Sequence, residues 1–183
     1  MGNIDKILEY NRAFVATGAY EPFLTDKFPA KKVAVLSCMD TRLSVLLQEA
    51  LGLKNGDAKI IKNAGAVIPT PWDSAMRSLI VAVYELGVEE IMIVAHTTCG
   101  ACHMSFGHFR EEMLHRGVSE QTIQAVKASG IDLDAWFEGF HDTDRSVRET
   151  VAAVRQHPLM PADLSVRGFV IDSATGALTE IPC

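Results

Sequence analysis

Two thiols and an imidazole are the residues most able to do chemistry in this chain. Cys38 stands alone, and His96 and Cys99 follow 58 residues later as a His-x-x-Cys pair. Zinc takes thiolate and imidazole together, and three protein ligands leave a fourth tetrahedral position open for water, as catalytic sites require. Cys102, three residues beyond Cys99, offers two competing readings. With Cys38, His96 and Cys99 it would close a four-ligand structural site, the mark of a zinc-stabilised binding module. With Cys99 alone it makes a C-x-x-C, the motif of dithiol redox proteins. Next to the first cysteine, the run Cys38-Met39-Asp40-Thr41-Arg42 carries a carboxylate and a guanidinium two residues apart. Side chains at that spacing do not face each other on a helix, so a paired Asp40 and Arg42 requires a turn. Arginine presents a planar fork to a carboxylate, and the pair would fix Asp40 beside the metal.

The elements around these residues are legible from periodicity. Ile4, Ile7, Leu8, Phe14 and Val15 recur at helical spacing. Val33 to Ser37 is a short apolar run that reads as a buried strand, and Leu43, Leu46, Leu47, Ala50 and Leu51 form a helical stripe ending at Gly52. Ala58 to Lys62 is a second strand. Asp73 caps a helix over Met76, Leu79, Ile80, Val83 and Tyr84, closed by Gly87. Ile91 to Ala95 is a third strand running into His96. From about Gly100 to Pro158 there is no strand signal; short helices separated by Gly117, Gly130 and Gly139 fit best, the last at about 143–156. A strand at 166–171, a turn at 173–176 and a short return strand at 177–181 close the chain.

This order predicts one α/β domain over 1–183: a mostly parallel, Rossmann-like sheet of order 2-1-3-4 with a short antiparallel C-terminal strand, flanked by helices, with a helical insertion in the middle third. Such sheets bind ligands beyond the C-terminal ends of strands, where the strand order reverses. Cys38 after the first strand and His96 with Cys99 after the third would then be neighbours.

Composition narrows the class further. Twenty-three acidic residues against 17 basic ones give a net charge of −6, without the basic excess of a nucleic-acid binder. The apolar runs at 79–84 and 91–95 fall far short of the ~20 residues that span a bilayer. Asp5, Lys6 and Glu9 interrupt the N-terminal apolar pattern, so no signal peptide is visible. Cysteines used as ligands rather than as disulfides point to the cytoplasm.

Taken together, Cys38-x-Asp40-x-Arg42 and His96-x-x-Cys99-Gly100 resemble the signature of the β-class carbonic anhydrases. Asn63-Ala64-Gly65 matches that family's cleft-lining loop, and the resemblance runs over roughly residues 30 to 183. Its compact length is similar to the small prokaryotic branch. The resemblance implies zinc on Cys38, His96 and Cys99, a catalytic dyad of Asp40 and Arg42, and reversible hydration of carbon dioxide to bicarbonate and a proton by zinc-bound hydroxide. It also implies a closed form in which Asp40 becomes the fourth ligand and Arg42 competes for it. The substrate pocket is expected at Asn63, Ala64, Gly65, Val67 and Ile68, since an apolar substrate needs apolar walls. His103 and His108 are candidates for exporting the proton. Carbon disulfide or carbonyl sulfide is an alternative substrate, because family members hydrolyse them with the same ligands. A homodimer or higher homo-oligomer is expected, with helix 3–17 as the dimer arm, because an exposed apolar stripe there needs a partner.

Overall fold

A five-stranded sheet of order β2-β1-β3-β4-β5 carries the molecule; the computed structural model describes residues 2–183. Its strands are β1 (Val33–Cys38), β2 (Ala58–Asn63), β3 (Glu90–His96), β4 (Ser165–Ile171) and β5 (Leu178–Ile181). The first four are parallel, and β5 runs antiparallel to β4. The predicted order and the antiparallel return are both observed. β1, with five consecutive buried residues, lies between β2 and β3. Continuous burial of that kind needs helices on both faces.

Among the described residues there are seven α-helices: α1 (Asn3–Ala16), α2 (Leu43–Ala50), α3 (Ser74–Leu86), α4 (Phe106–His115), α5 (Glu120–Ala128), α6 (Leu133–Phe137) and α7 (Thr143–Arg155). On one face Met76 and Leu79 of α3 and Val147, Val151 and Val154 of α7 pack on Leu36 and Ile93. On the other, Leu43 and Leu47 of α2 pack with Val35, Val94 and Ile171, and Cys38 and Cys99 belong to this second cluster. The middle third is helical, as predicted, and α4 to α6 close a small core of their own over Phe106, Ile123 and Leu133.

Asp73 caps α3 by accepting from the Met76 N–H at 2.7 Å, and Gly87 ends that helix at φ +69°. Gly139 serves a purpose the periodicity did not show. A Cβ there would lie 2.0 Å from the carbonyl oxygen of Ala101, so glycine is needed for close approach. The Gly139 N–H donates to Met104 O and the His103 N–H donates to Phe140 O, which stitches 139–140 to the segment after Cys99. Among the described residues, no helix is long and apolar enough to cross a membrane.

Candidate metal centre

β1 and β3 each run one residue further than the apolar pattern suggested, so Cys38 and His96 are the terminal residues of adjacent parallel strands. Cys99 follows on the turn after β3. The donor atoms of Cys38, His96 and Cys99 all lie within 4.8 Å of one another, and all three residues are buried. The two Sγ atoms are 3.8 Å apart, close to the ~3.8 Å edge of a tetrahedron with ~2.3 Å zinc–sulfur arms. His96 donates from Nδ1 to the carbonyl of Thr97 at 2.9 Å. That fixes the tautomer and leaves the Nε2 lone pair free, as metal-ligating histidines require. Nε2 is buried without a hydrogen-bond partner, a costly arrangement for a protein to keep unless something else binds there. The donor set therefore fits zinc.

The two thiols are prepared unequally for that role, Cys38 as the thiolate and Cys99 still holding its proton. The adjacent Cys99 thiol, then the His96 ring and the N–H groups of Gly65 and Asp40, draw Cys38 down to about 4 against the opposing effect of burial. The Cys38 thiolate in turn, together with burial, pushes Cys99 up. Ionising Cys99 as well, this close to the Cys38 thiolate, takes a cation between them.

Asp40 and Arg42 occupy the turn between β1 and α2, which satisfies the spacing argument. Oδ1 of Asp40 accepts from the Arg42 backbone N–H and from Nε, both at 2.9 Å, and Oδ2 accepts from Nη2 at 2.8 Å. The Arg42 side chain and then its backbone N–H hold the Asp40 carboxyl well below the usual carboxylate range. Oδ2 also lies 3.9 Å from His96 Nε2, so the carboxylate borders the space into which the three donors point.

The chain belongs to the β-carbonic anhydrase family. The carbonic anhydrase family model matches residues 33–178. The crystal structure of β-carbonic anhydrase isoform I from Trichomonas vaginalis superimposes with a TM-score of 0.88 at 36% identity, covering 99% of this chain and 98% of that one. The Bacillus subtilis protein YvdA is 46% identical over 181 residues, 99% of this chain and 92% of its own. A carbon disulfide hydrolase from Acidithiobacillus thiooxidans is 30% identical over 169 residues, 81% of this chain and 76% of its own. Zinc is the metal of the family, and Cys38, His96 and Cys99 are positioned to hold it.

Of the expected pocket residues, Ala64, Val67 and Ile68 line a cavity of about 270 Å³ with Ala101, Met104 and Phe140 on the apolar side and Glu138, Ser146, Glu149 and Thr150 on the polar side; none of the three donors lines it. Asn63 instead braces the loop: its Oδ1 accepts from the Val67 N–H, and its Nδ2 donates to the Val67 carbonyl. Gly65, at φ +92°, turns its N–H onto Cys38 Sγ at 3.4 Å. Cys102 does not join the metal group among the described residues; it is half-buried and bridges to Phe140. His103 is exposed and shares an Nδ1 to Nδ1 hydrogen bond of 2.9 Å with His141, while His108 is exposed beside Phe109. Sequence reasoning missed Thr98 and Ser173, which sit behind Arg42. Their only signal was proximity to Cys99 and to the predicted turn.

Proposed function

We propose that the chain reversibly hydrates carbon dioxide to bicarbonate and a proton, with zinc on Cys38, His96 and Cys99. The observation that carries this reading is the unpartnered Nε2 of His96, buried beside two thiols and 3.9 Å from a carboxylate that Arg42 clamps. Bound zinc supplies a water acidified enough to act as a nucleophile near neutral pH. Asp40 is ionised throughout that range, so it accepts a hydrogen bond from the reacting oxygen without taking its proton. It thereby aims the remaining lone pair at the substrate carbon. Arg42, bonded to both carboxylate oxygens, keeps Asp40 in that orientation and off the metal. Ala64, Val67 and Ile68 supply apolar wall for an apolar substrate. The proton released on hydration passes to solvent, and His103 with His141 is the nearest imidazole pair in sequence to the metal motif.

Carbon disulfide and carbonyl sulfide are linear, apolar analogues that the same walls would accept, and a related chain is a carbon disulfide hydrolase. Stopped-flow carbon dioxide hydration by the zinc-loaded protein, run beside a sulfide-release assay, tests both. Fast hydration without sulfide release is expected. Sulfide release without hydration would transfer the site to the alternative, and neither would end the enzymatic reading.

A group of three donors rather than four, with Asp40 rather than Cys102 beside it, favours an enzyme over a zinc-stabilised module or a dithiol redox protein. Two ligand thiols 3.8 Å apart also favour a reducing compartment such as the cytoplasm. The sheet and its helices form a single domain, and α1, which buries none of its residues, is its arm onto a second copy.

A further inference from the structure

Arg42 holds Asp40, and a second set of bonds holds Arg42. Its Nη1 donates to the Thr98 hydroxyl at 2.9 Å, and Nη2 donates to the Thr98 carbonyl at 3.0 Å. The Nε and Nη2 edge of the guanidinium faces Asp40 while the rest of the fork faces Thr98. Thr98 offers both acceptors to the guanidinium from a left-handed backbone, at φ +53°. A β-branched residue is a rare and unfavourable occupant of that region, and glycine would adopt it freely. Local strain kept at a site commonly marks a functional demand on the side chain. Here the demand is for a hydroxyl.

Ser173 lies behind Thr98, in the turn between β4 and β5. Its hydroxyl is 3.4 Å from the Thr98 hydroxyl, 3.2 Å from the Thr97 hydroxyl and 3.2 Å from the Thr97 carbonyl. Its N–H donates to the Thr97 hydroxyl at 3.0 Å. The turn is rigid, because Asp172 Oδ1 accepts from the N–H groups of Ala174 and Thr175 and from the Thr175 hydroxyl. The chain of contacts therefore runs from a braced turn at one side of the sheet, through the strained residue beside Cys99, to the guanidinium that governs Asp40.

We propose that Thr98, seated by Ser173, is the positioning residue of the Asp40–Arg42 pair: its hydroxyl and carbonyl lock the guanidinium in the orientation that holds the carboxylate away from the metal. This rests on the reading of Asp40 and Arg42 as the dyad of a hydrating zinc site. Without the hydroxyl, Arg42 keeps its contact with Asp40 but gains freedom to swing. Asp40 then spends more time where zinc can take it.

The test uses zinc-loaded Thr98→Ser, Thr98→Gly, Ser173→Ala and Arg42→Ala proteins, with metal content, melting temperature and kcat measured on each. Cobalt-substituted samples titrated with thiocyanate add a visible spectrum that reports whether the fourth metal position is open to an exogenous ligand. Thr98→Gly is expected to keep about one metal per chain and to melt no lower than wild type, because the substitution relieves strain. Its kcat should fall about tenfold, the rate equivalent of one hydrogen bond to a charged group, and its cobalt spectrum should respond less to thiocyanate. Thr98→Ser should restore both readouts to within about twofold of wild type, and Ser173→Ala should fall between. If Arg42→Ala slows hydration while Thr98→Gly does not, the positioning role is overturned and the dyad stands. If Arg42→Ala is also unimpaired, the dyad reading itself fails, and the positioning role with it. Loss of metal from Thr98→Gly would make Thr98 a structural support of the zinc site and would equally overturn the proposal.

Discussion

Asp40 bonds to Arg42 and lies 3.9 Å from His96 Nε2, and in the proposed function the balance between Arg42 and a metal for this carboxylate would decide whether a water can occupy the open position. Arg42→Ala is predicted to retain zinc yet hydrate carbon dioxide about 10²-fold more slowly near pH 7, in line with the loss of other oriented charge-stabilising groups. Arg42→Lys should recover only part of that rate, because an ammonium lacks the fork that meets Oδ1 and Oδ2 together. Zinc content and stopped-flow rates of the three proteins check this; a near wild-type rate in Arg42→Ala would remove the gate. The ligand assignment has its own contrast. Cys99→Ser is predicted to lose its zinc, whereas Cys102→Ala should keep both zinc and rate, since Cys102 lies outside the group of three donors. Metal analysis of the two variants decides, and zinc lost from Cys102→Ala would restore the closed four-ligand site. The ligands and the dyad are legible in the amino-acid sequence because thiol, imidazole and carboxylate announce their chemistry by type. Thr98 and Asn63 are not. Their parts depend on a left-handed φ and on a loop closed from Asn63 to Val67, and neither is written in side-chain chemistry alone.

The strands place the ligands, and their register is set by packing on both faces. Cys38 pairs with Asn63, and Ser37 pairs with Val94, so the ends of β1, β2 and β3 stop at nearly one level. Apolar runs revealed those strands within a residue or so, most plainly β1 and β3, because a buried parallel strand has no polar face to confuse the pattern. The runs could not reveal where helices come closest. Gly168 of β4 is such a place: a Cβ there would sit 2.4 Å from Val147 Cγ1 and 3.2 Å from Val151 Cγ2, both on α7. Gly168→Ala is predicted to destabilise the protein by about 1–3 kcal/mol through overpacking. Val147→Ala should absorb much of that cost, since it removes the methyl that is struck first, so the two changes should be non-additive when combined. Urea melts of the two single variants and the double variant measure the coupling. Strict additivity would show that α7 moves away from the sheet as a unit instead. Gly139 makes the same point for the insertion, where the glycine that separates α6 from α7 is also the close contact between two loops.

At the scale of the whole molecule, α1 is the feature that a single copy does not explain. None of its residues is buried, and Ile4 and Ile7 are 74% and 66% exposed. Tyr20, Phe23, Leu24 and Phe28, which follow the helix in the chain, are exposed as well, and Phe23 packs near Phe14. A helix of 14 residues has little stability of its own in water and usually depends on a packed apolar face. The chain also leaves the β2 edge of its sheet unpaired among the described residues, and an uncovered edge invites pairing or cover. Next to that edge, Ile60 and Ile61 of β2 and Val81 and Leu86 of α3 border a groove whose other walls carry Lys59, Arg77 and two serines. An apolar arm and a partly apolar groove on one chain would be mutually satisfied in the proposed two-fold pair, if each copy laid its arm on the other. The sequence showed the stripe on the arm; the groove became visible only in the folded sheet, because β2 and α3 are separate segments that meet in space. An Ile7→Lys, Leu8→Lys double variant is therefore predicted to sediment as a monomer at concentrations where wild type is a dimer or larger. Lysine leaves the helix intact in propensity but places two charges against the partner's groove, where burying them unpaired is costly. Zinc content should persist, because Cys38, His96 and Cys99 all come from one chain. The melting temperature should fall and become less dependent on protein concentration, since association contributes to stability by mass action. Sedimentation velocity and melts across a dilution series provide the measurement, and an unchanged sedimentation coefficient in the double variant would show that the arm lies outside the interface.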